Sequence, residues 1–159
     1  MSLPNERNEE FCESLQGGDL SCDDLSRRQE RSLIFHLLYA VECFEYDTSL
    51  EAVVDNFNRG FNLSIPRDSF VVRMAQSIID DRDKLDEQLR PHLVNWRFER
   101  IGVCTKLILR FALWELLETD TTPNIVINEA IELSKCFSEK DAYKFINGIL
   151  DEIVKQKTA

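Results

Sequence analysis

Residues 128–153 read NEAIELSKCFSEKDAYKFINGILDEI, and this stretch settles the fold class. Its apolar side chains recur every three or four residues on both sides of Ser138, which is the spacing of helices that bury one face. Thr122 and Pro123 are predicted to start the first of these helices. Ser138 is predicted to cap the second, which ends near Lys155.

The same periodicity extends over most of the chain, and no alternating strand pattern of useful length interrupts it. With 5 glycines and 4 prolines in 159 residues, the sequence has few turn formers for a β-sandwich. The most apolar stretch, LILRFALWELL at residues 107–117, contains Arg110 and Glu115, so it is typical of a core helix rather than a membrane span. We predict an all-α fold, a compact bundle of about seven helices.

The earliest helix starts within SRRQERSLIFHLLY at residues 26–39. Ser26 is a predicted N-cap, and Gln29 stands where a capping box requires it. Phe35 and Tyr39 lie on a flank of this helix that also carries Arg28. The predicted buried stripe consists of Leu33, Ile34, Leu37, Leu38, Val41 and Phe44.

Three further helices are predicted in the middle of the chain. One covers residues 50–61 and ends at Gly60. The next has Pro66 in its first turn and runs through Leu85. A long helix is then predicted from Trp96 to about Glu118.

Residues 1–25 differ in composition from the rest of the chain. They contain seven acidic residues and a single base, Arg7, and so hold most of the net charge of -10. Such a segment has too few large apolar groups to offset its ordering entropy. We predict an acidic, disordered N-terminal arm over residues 1–25 and a single helical domain over residues 26–159.

Enzymatic function is not expected, because the sequence has no phosphate-binding glycine loop, nucleophile elbow or zinc-protease motif. The odd number of cysteines and the absence of CxxC predict free, buried thiols rather than zinc ligands or disulfides, with a single reactive thiol as the alternative. No cofactor or metal is expected. The candidate metal ligands that this excludes are Cys12, Cys22, Cys43, Cys104, Cys136, His36 and His92.

Without a secretory signal, we expect a cytoplasmic protein that does not bind membranes.

The clustered Arg27, Arg28 and Arg31 are unexpected in so acidic a chain. Guanidinium groups bind phosphate through paired hydrogen bonds, and a helix N-terminus adds N–H donors and a positive dipole end. Aromatic rings such as Phe35 and Tyr39 hold unpaired bases by stacking. The cluster therefore indicates a site for single-stranded RNA. Alternatively, the arginines pair with nearby acids and the rings belong to the core.

A second cluster lies in the C-terminal stretch. Lys135, Lys140 and Lys144 are candidates for a basic surface, and Phe145 is either core or a stacking platform. Gly148 is predicted to permit close helix packing, since apolar residues keep helical spacing around it.

Four segments together resemble the NusB family of transcription antitermination factors. They are RRQERSLIFHLLYAVE, LRPHLVNWRFERI, LILRFALWELL and INEAIELSKCFSEKDAYKFINGILDEI, at residues 27–42, 89–101, 107–117 and 127–153. The resemblance covers residues 26–154, and the C-terminal motif is its most specific part. It implies two small helical bundles with no enzymatic activity, and a domain that binds RNA.

The resemblance also implies a function and a set of RNA-contact residues. The family binds the boxA element of ribosomal RNA transcripts, and it acts with the ribosomal protein NusE within the RNA polymerase antitermination complex. Carried over to this sequence, the RNA surface comprises Arg27, Arg28, Arg31 and Tyr39 from the first helix, and Asp141, Lys144 and Phe145 from the last. For Phe145, burial and stacking both stay open.

Two positions depart from the family pattern: Gln29, where a further arginine is common, and Thr105, where many relatives carry an acid. Two alternative functions also stay open. One is a NusB-like RNA-targeting module of the ribosomal RNA modification machinery, and the other is a helical protein-interaction adaptor. The sequence leaves the oligomeric state open, a homodimer included.

Overall fold

The structure is a computed structural model that describes residues 25–61, 63–93 and 98–158. Residues 1–24, which make up nearly all of the predicted acidic arm, lie outside the described residues. Within those ranges the chain forms seven α-helices, two short 3-10 helices and no β-strand, which confirms the all-α prediction. The α-helices are α1 (Arg27–Cys43), α2 (Leu50–Phe61), α3 (Phe70–Asp80), α4 (Arg82–Leu89), α5 (Val103–Glu118), α6 (Pro123–Phe137) and α7 (Ala142–Thr158).

The chain divides into two compact units, Met1–Ser77 and Ile78–Ala159, and the division falls inside α3. In the first unit, α1 packs against α2. The buried residues of α1 follow the predicted stripe from Leu33 to Val41, with Phe35 added to it. The last member of the predicted stripe, Phe44, is 51% exposed because α1 has already ended at Cys43.

In the second unit, α5 packs against α4, α6 and α7. Its residues 107–113 are buried without interruption, as expected of a helix that is covered on all sides. The run includes Arg110, whose guanidinium donates two hydrogen bonds of 2.6 Å to the carboxylate of Asp86 on α4. The apolar stripe of α7 is buried and comprises Ile146, Ile149, Leu150 and Ile153.

Helix boundaries differ from the predicted ones in three places. The predicted third helix is two helices, α3 and α4, separated at Asp81, and Pro66 precedes the first of them by four residues. The predicted long helix begins at Val103 rather than Trp96, and Phe98–Arg100 forms a separate 3-10 turn. Ser138 ends α6 instead of starting α7, since its N–H donates to the carbonyl of Ser134.

Within the described ranges, no helix has both the length and the apolar character that a membrane crossing requires.

Candidate nucleic-acid interface

The start of α1 has the predicted capping box. The backbone N–H of Gln29 donates to the Ser26 hydroxyl at 3.2 Å, and the Ser26 N–H donates to the Gln29 side-chain oxygen at 2.8 Å. The cap satisfies two N–H groups and contributes about 1 kcal/mol to helix stability. The side chain of Gln29 therefore helps to fix the position of the helix start.

Three arginines follow this cap. Arg27 and Arg28 are exposed, and Arg31, one turn further, is half-buried. Arg27 forms no ion pair with any described residue. The positive end of the α1 dipole lies at the same place, so the first turn presents both formal and partial positive charge.

The two aromatic residues of α1 differ in exposure. The Tyr39 ring is 42% exposed, whereas Phe35 is only 2% exposed. The two rings are stacked, with centroids 6.3 Å apart and planes inclined by 26°. The prediction that Phe35 lies outside the buried set is therefore wrong, and its burial favours the alternative in which this ring belongs to the core. Phe35 instead supports the ring of Tyr39 from within the protein.

His36 lies between these two residues on α1. Its Nδ1–H donates to the carbonyl of Ser32 at 2.7 Å, and its ring meets Phe35 edge-on. Burial lowers the pKa of His36 below 6.5, and the hydrogen bond to Ser32 only partly opposes this effect. The imidazole is therefore neutral at neutral pH and adds no charge to the arginine cluster.

The C-terminal candidates belong to the second unit and lie around the first turn of α7. Asp141 directly precedes the helix and has a left-handed backbone with φ of 68°, a conformation that Asp tolerates better than most residues. Its carboxylate lies 3.8 Å from the ammonium of Lys144, and both side chains are largely exposed. Phe145 is half-buried, so the structure leaves part of its ring accessible.

A residue that the sequence reasoning missed lies between these candidates. The ring centroid of Tyr143 is 5.1 Å from the ammonium of Lys135 and 5.9 Å from that of Lys144. Lys135 belongs to the last turn of α6, so this contact joins the end of one helix to the start of the next. The sequence feature that could have indicated Tyr143 is its position directly before Lys144, which is itself a predicted site residue.

Other predicted features can be compared with the structure directly. Of the cysteines that the structure describes, Cys43 is exposed, and Cys104 and Cys136 are half-buried; all three are free thiols. The prediction that these thiols are buried is therefore wrong. Among the described residues there is no group of three or more His, Cys, Asp or Glu that could hold a metal ion. Thr105 is buried, and its hydroxyl donates to that of Ser138 at 3.3 Å.

Comparisons with known proteins agree on one family. The NusB family model matches residues 28–155. The chain is 35% identical over 134 residues to the transcription antitermination protein NusB of Macrococcus caseolyticus, covering 84% of this chain and 99% of that protein. It is also 35% identical over 129 residues to NusB of Staphylococcus haemolyticus, covering 81% and 99%.

Solved structures give the same answer for the fold. A crystal form of NusB from T. maritima matches with a TM-score of 0.72 and 30% identity, over 83% of this chain and 92% of that chain. A chain in the crystal structure of a plectonemic RNA supercoil matches with a TM-score of 0.70 and 19% identity, over 84% and 99%. At that identity the second match supports the fold alone. The family model and the relatives together show that this chain belongs to the NusB family of transcription antitermination proteins.

Proposed function

We propose that this protein is an antitermination factor that binds boxA-type single-stranded RNA of ribosomal RNA transcripts together with the ribosomal protein NusE. The observation that carries the proposal is the capped, arginine-bearing start of α1, with an exposed tyrosine on the same helix. In this role the protein works on nascent transcripts in the cytoplasm, as an adaptor of the RNA polymerase antitermination complex and not as an enzyme.

The residues of α1 have distinct roles in this proposal. Arg27, Arg28 and Arg31 contact phosphate oxygens, where a guanidinium group forms stronger hydrogen bonds than a neutral donor. Tyr39 stacks on an unpaired base, and the buried Phe35 ring fixes its orientation. A ring that is already held in place loses less conformational entropy when a base binds.

The residues of α7 add contacts of a different kind. Lys144 contacts a phosphate, and the exposed part of Phe145 contacts a base or sugar. The carboxylate of Asp141 would repel phosphate, so we assign it to accepting a hydrogen bond from an exocyclic amino group of a base. Its ion pair with Lys144 also positions that ammonium.

The net charge of -10 does not contradict this assignment. At physiological ionic strength charges are screened over about 8 Å, so distant acids have little influence on a phosphate held by α1. The local arrangement of guanidinium groups therefore decides the affinity. Contacts with phosphate also release counterions from the RNA, so binding depends steeply on salt concentration.

The substitution Arg28→Glu tests this proposal. Hydrogen bonds to charged groups contribute about 1.5–3 kcal/mol, so we expect boxA RNA to bind at least about tenfold more weakly. The measurement is a fluorescence anisotropy titration of a labelled boxA oligoribonucleotide. Arg73→Glu, which makes the same charge change at an exposed position of α3, is the matched control and should bind nearly normally.

Normal RNA binding by Arg28→Glu, with the fold intact by circular dichroism, would refute the role of α1. A second titration in the presence of NusE distinguishes the functional classes. Cooperative tightening by NusE supports antitermination over an RNA-targeting module of the modification machinery. Binding of NusE without any salt-dependent RNA binding would instead favour the protein-interaction adaptor.

A further inference from the structure

Tyr143 is placed to organise two cations at once. The ammonium groups of Lys135 and Lys144 lie 5.1 Å and 5.9 Å from its ring centroid, both within the distance at which a cation is attracted to an aromatic ring. The two lysines come from different helices, α6 and α7, which pack against each other. The Tyr143 ring is therefore a common contact of the two ammonium groups.

This arrangement has an electrostatic consequence. The two ammonium groups carry like charge, and the face of the Tyr143 ring attracts both, while the carboxylate of Asp141 also attracts that of Lys144. The cluster of two lysines, one carboxylate and one phenol carries a net positive charge and is therefore suited to a polyanion.

The contact with the ring also restricts two otherwise flexible side chains. Lysine has a strongly hydrated charge on a stem with several rotatable bonds, and ordering that stem on binding costs affinity. Lysines that already rest against Tyr143 have lost part of this freedom before a ligand arrives. Both lysines are exposed at the surface, so a strand can reach them.

We propose that Lys135 and Tyr143 are RNA-contact residues, and that with Lys144 they form a two-cation clamp for the sugar–phosphate backbone. The inference rests on the proposed function and extends its C-terminal contacts from α7 to the end of α6. Lys135 and Lys144 each neutralise a phosphate, and Tyr143 holds both ammonium groups in position.

The test compares salt dependence among variants. For single-stranded RNA, the logarithm of the binding constant falls with the logarithm of salt concentration by about 0.7 per neutralised phosphate. Lys135→Met should therefore make the slope shallower by about 0.7, as measured by anisotropy titrations of a boxA oligoribonucleotide at several salt concentrations. Tyr143→Leu should weaken binding and lower the slope, and Tyr143→Phe should restore what Tyr143→Leu loses.

Lys155→Met is the matched control. Lys155 is on the same helix, three turns beyond Lys144, and its ammonium is paired with Asp151 at 2.9 Å. Lys155→Met removes the same charge as Lys135→Met. A general effect of net charge would therefore change the salt-dependence slope of both variants equally. We expect its slope to equal that of the unaltered protein.

The outcomes separate the two proposals. If the unaltered protein binds with a salt-dependent affinity, but Lys135→Met and Tyr143→Leu both keep its slope, the clamp is refuted and the proposed function stands. If the unaltered protein shows no salt-dependent binding, both proposals fail. A slope that falls in Lys135→Met but not in Lys155→Met supports the clamp, even if Tyr143→Leu does not fold. Loss of NusE binding in Lys135→Met with an unchanged RNA slope would assign the cluster to a protein partner and refute the clamp.

Discussion

Arg110 and Asp86 form an ion pair that is almost removed from solvent, with 6% and 8% of each residue exposed. The two parallel hydrogen bonds of 2.6 Å use the planar fork of the guanidinium group and both carboxylate oxygens. Such a pair adds little net stability over an apolar pair, but it makes each partner dependent on the other. It joins α4 to α5 within the second unit.

Arg110→Met alone should therefore destabilise the protein by about 3–5 kcal/mol, because the carboxylate of Asp86 would stay buried without its partner. The double variant Arg110→Met with Asp86→Leu should recover most of this loss. Urea unfolding followed by circular dichroism measures both effects. Equal destabilisation of the single and double variants would show that the guanidinium contributes through packing rather than through charge.

For single residues, the sequence predicted hydrogen bonds between near neighbours in the chain better than it predicted which side chains are buried. The capping box of Ser26 and Gln29 depends on neighbouring residues only, and it is confirmed. The burial of Phe35 was not predictable, because it lies beside the apolar stripe of its own helix and other parts of the chain decide whether it is covered. The contact between Lys135 and Tyr143 likewise depends on how α6 meets α7.

Among the helices, α7 has an unexplained glycine in its middle. Gly148 was predicted to permit close packing, but it is exposed, and a Cβ added there would meet no atom within 4 Å. That prediction is therefore wrong. The periodicity around Gly148 correctly gave the helix, but it did not show that the glycine lies on the face away from the buried stripe.

Gly148→Ala should stabilise the protein by about 0.5–1 kcal/mol, since glycine in a helix interior loses more backbone entropy than alanine. The midpoint of urea unfolding measures this change. Gly60→Ala is the matched control, because a Cβ there also meets open space but Gly60 lies in the last turn of α2, where the gain should be smaller. A loss of stability in Gly148→Ala would mean that the added methyl group is not accommodated.

Helix ends were predicted where the sequence contains a strong local signal, as at Ser26 and at the end of α2. The break at Asp81 between α3 and α4 has neither glycine nor proline to mark it, so a continuous helix was predicted there. Gly102 marks the start of α5, but the apolar residues before it kept helical spacing and extended the predicted helix too far. At such boundaries tertiary context overrides local helix propensity.

At the scale of the molecule, negative charge is unevenly distributed along the chain. Residues 1–25 contain seven acids and one base, and they lead directly into the arginines that start α1. We expect this arm to compete with RNA for those arginines. Competition from within the chain would weaken binding to any RNA, and boxA RNA would overcome it through base contacts that random RNA lacks.

Deletion of residues 1–25 should therefore tighten binding of random-sequence RNA at low salt, and more than it tightens binding of boxA RNA. Measurement at two salt concentrations distinguishes local competition from an effect of net charge, because the Debye length is about 30 Å at 0.01 M salt and about 8 Å at 0.15 M. A gain that persists at the higher salt means that the acids lie close to the arginines. A full-length variant with the seven acids changed to their amides should reproduce the gain, and this controls for chain length. If the affinity for random RNA is the same with and without the arm at both salt concentrations, the arm does not regulate the arginine cluster.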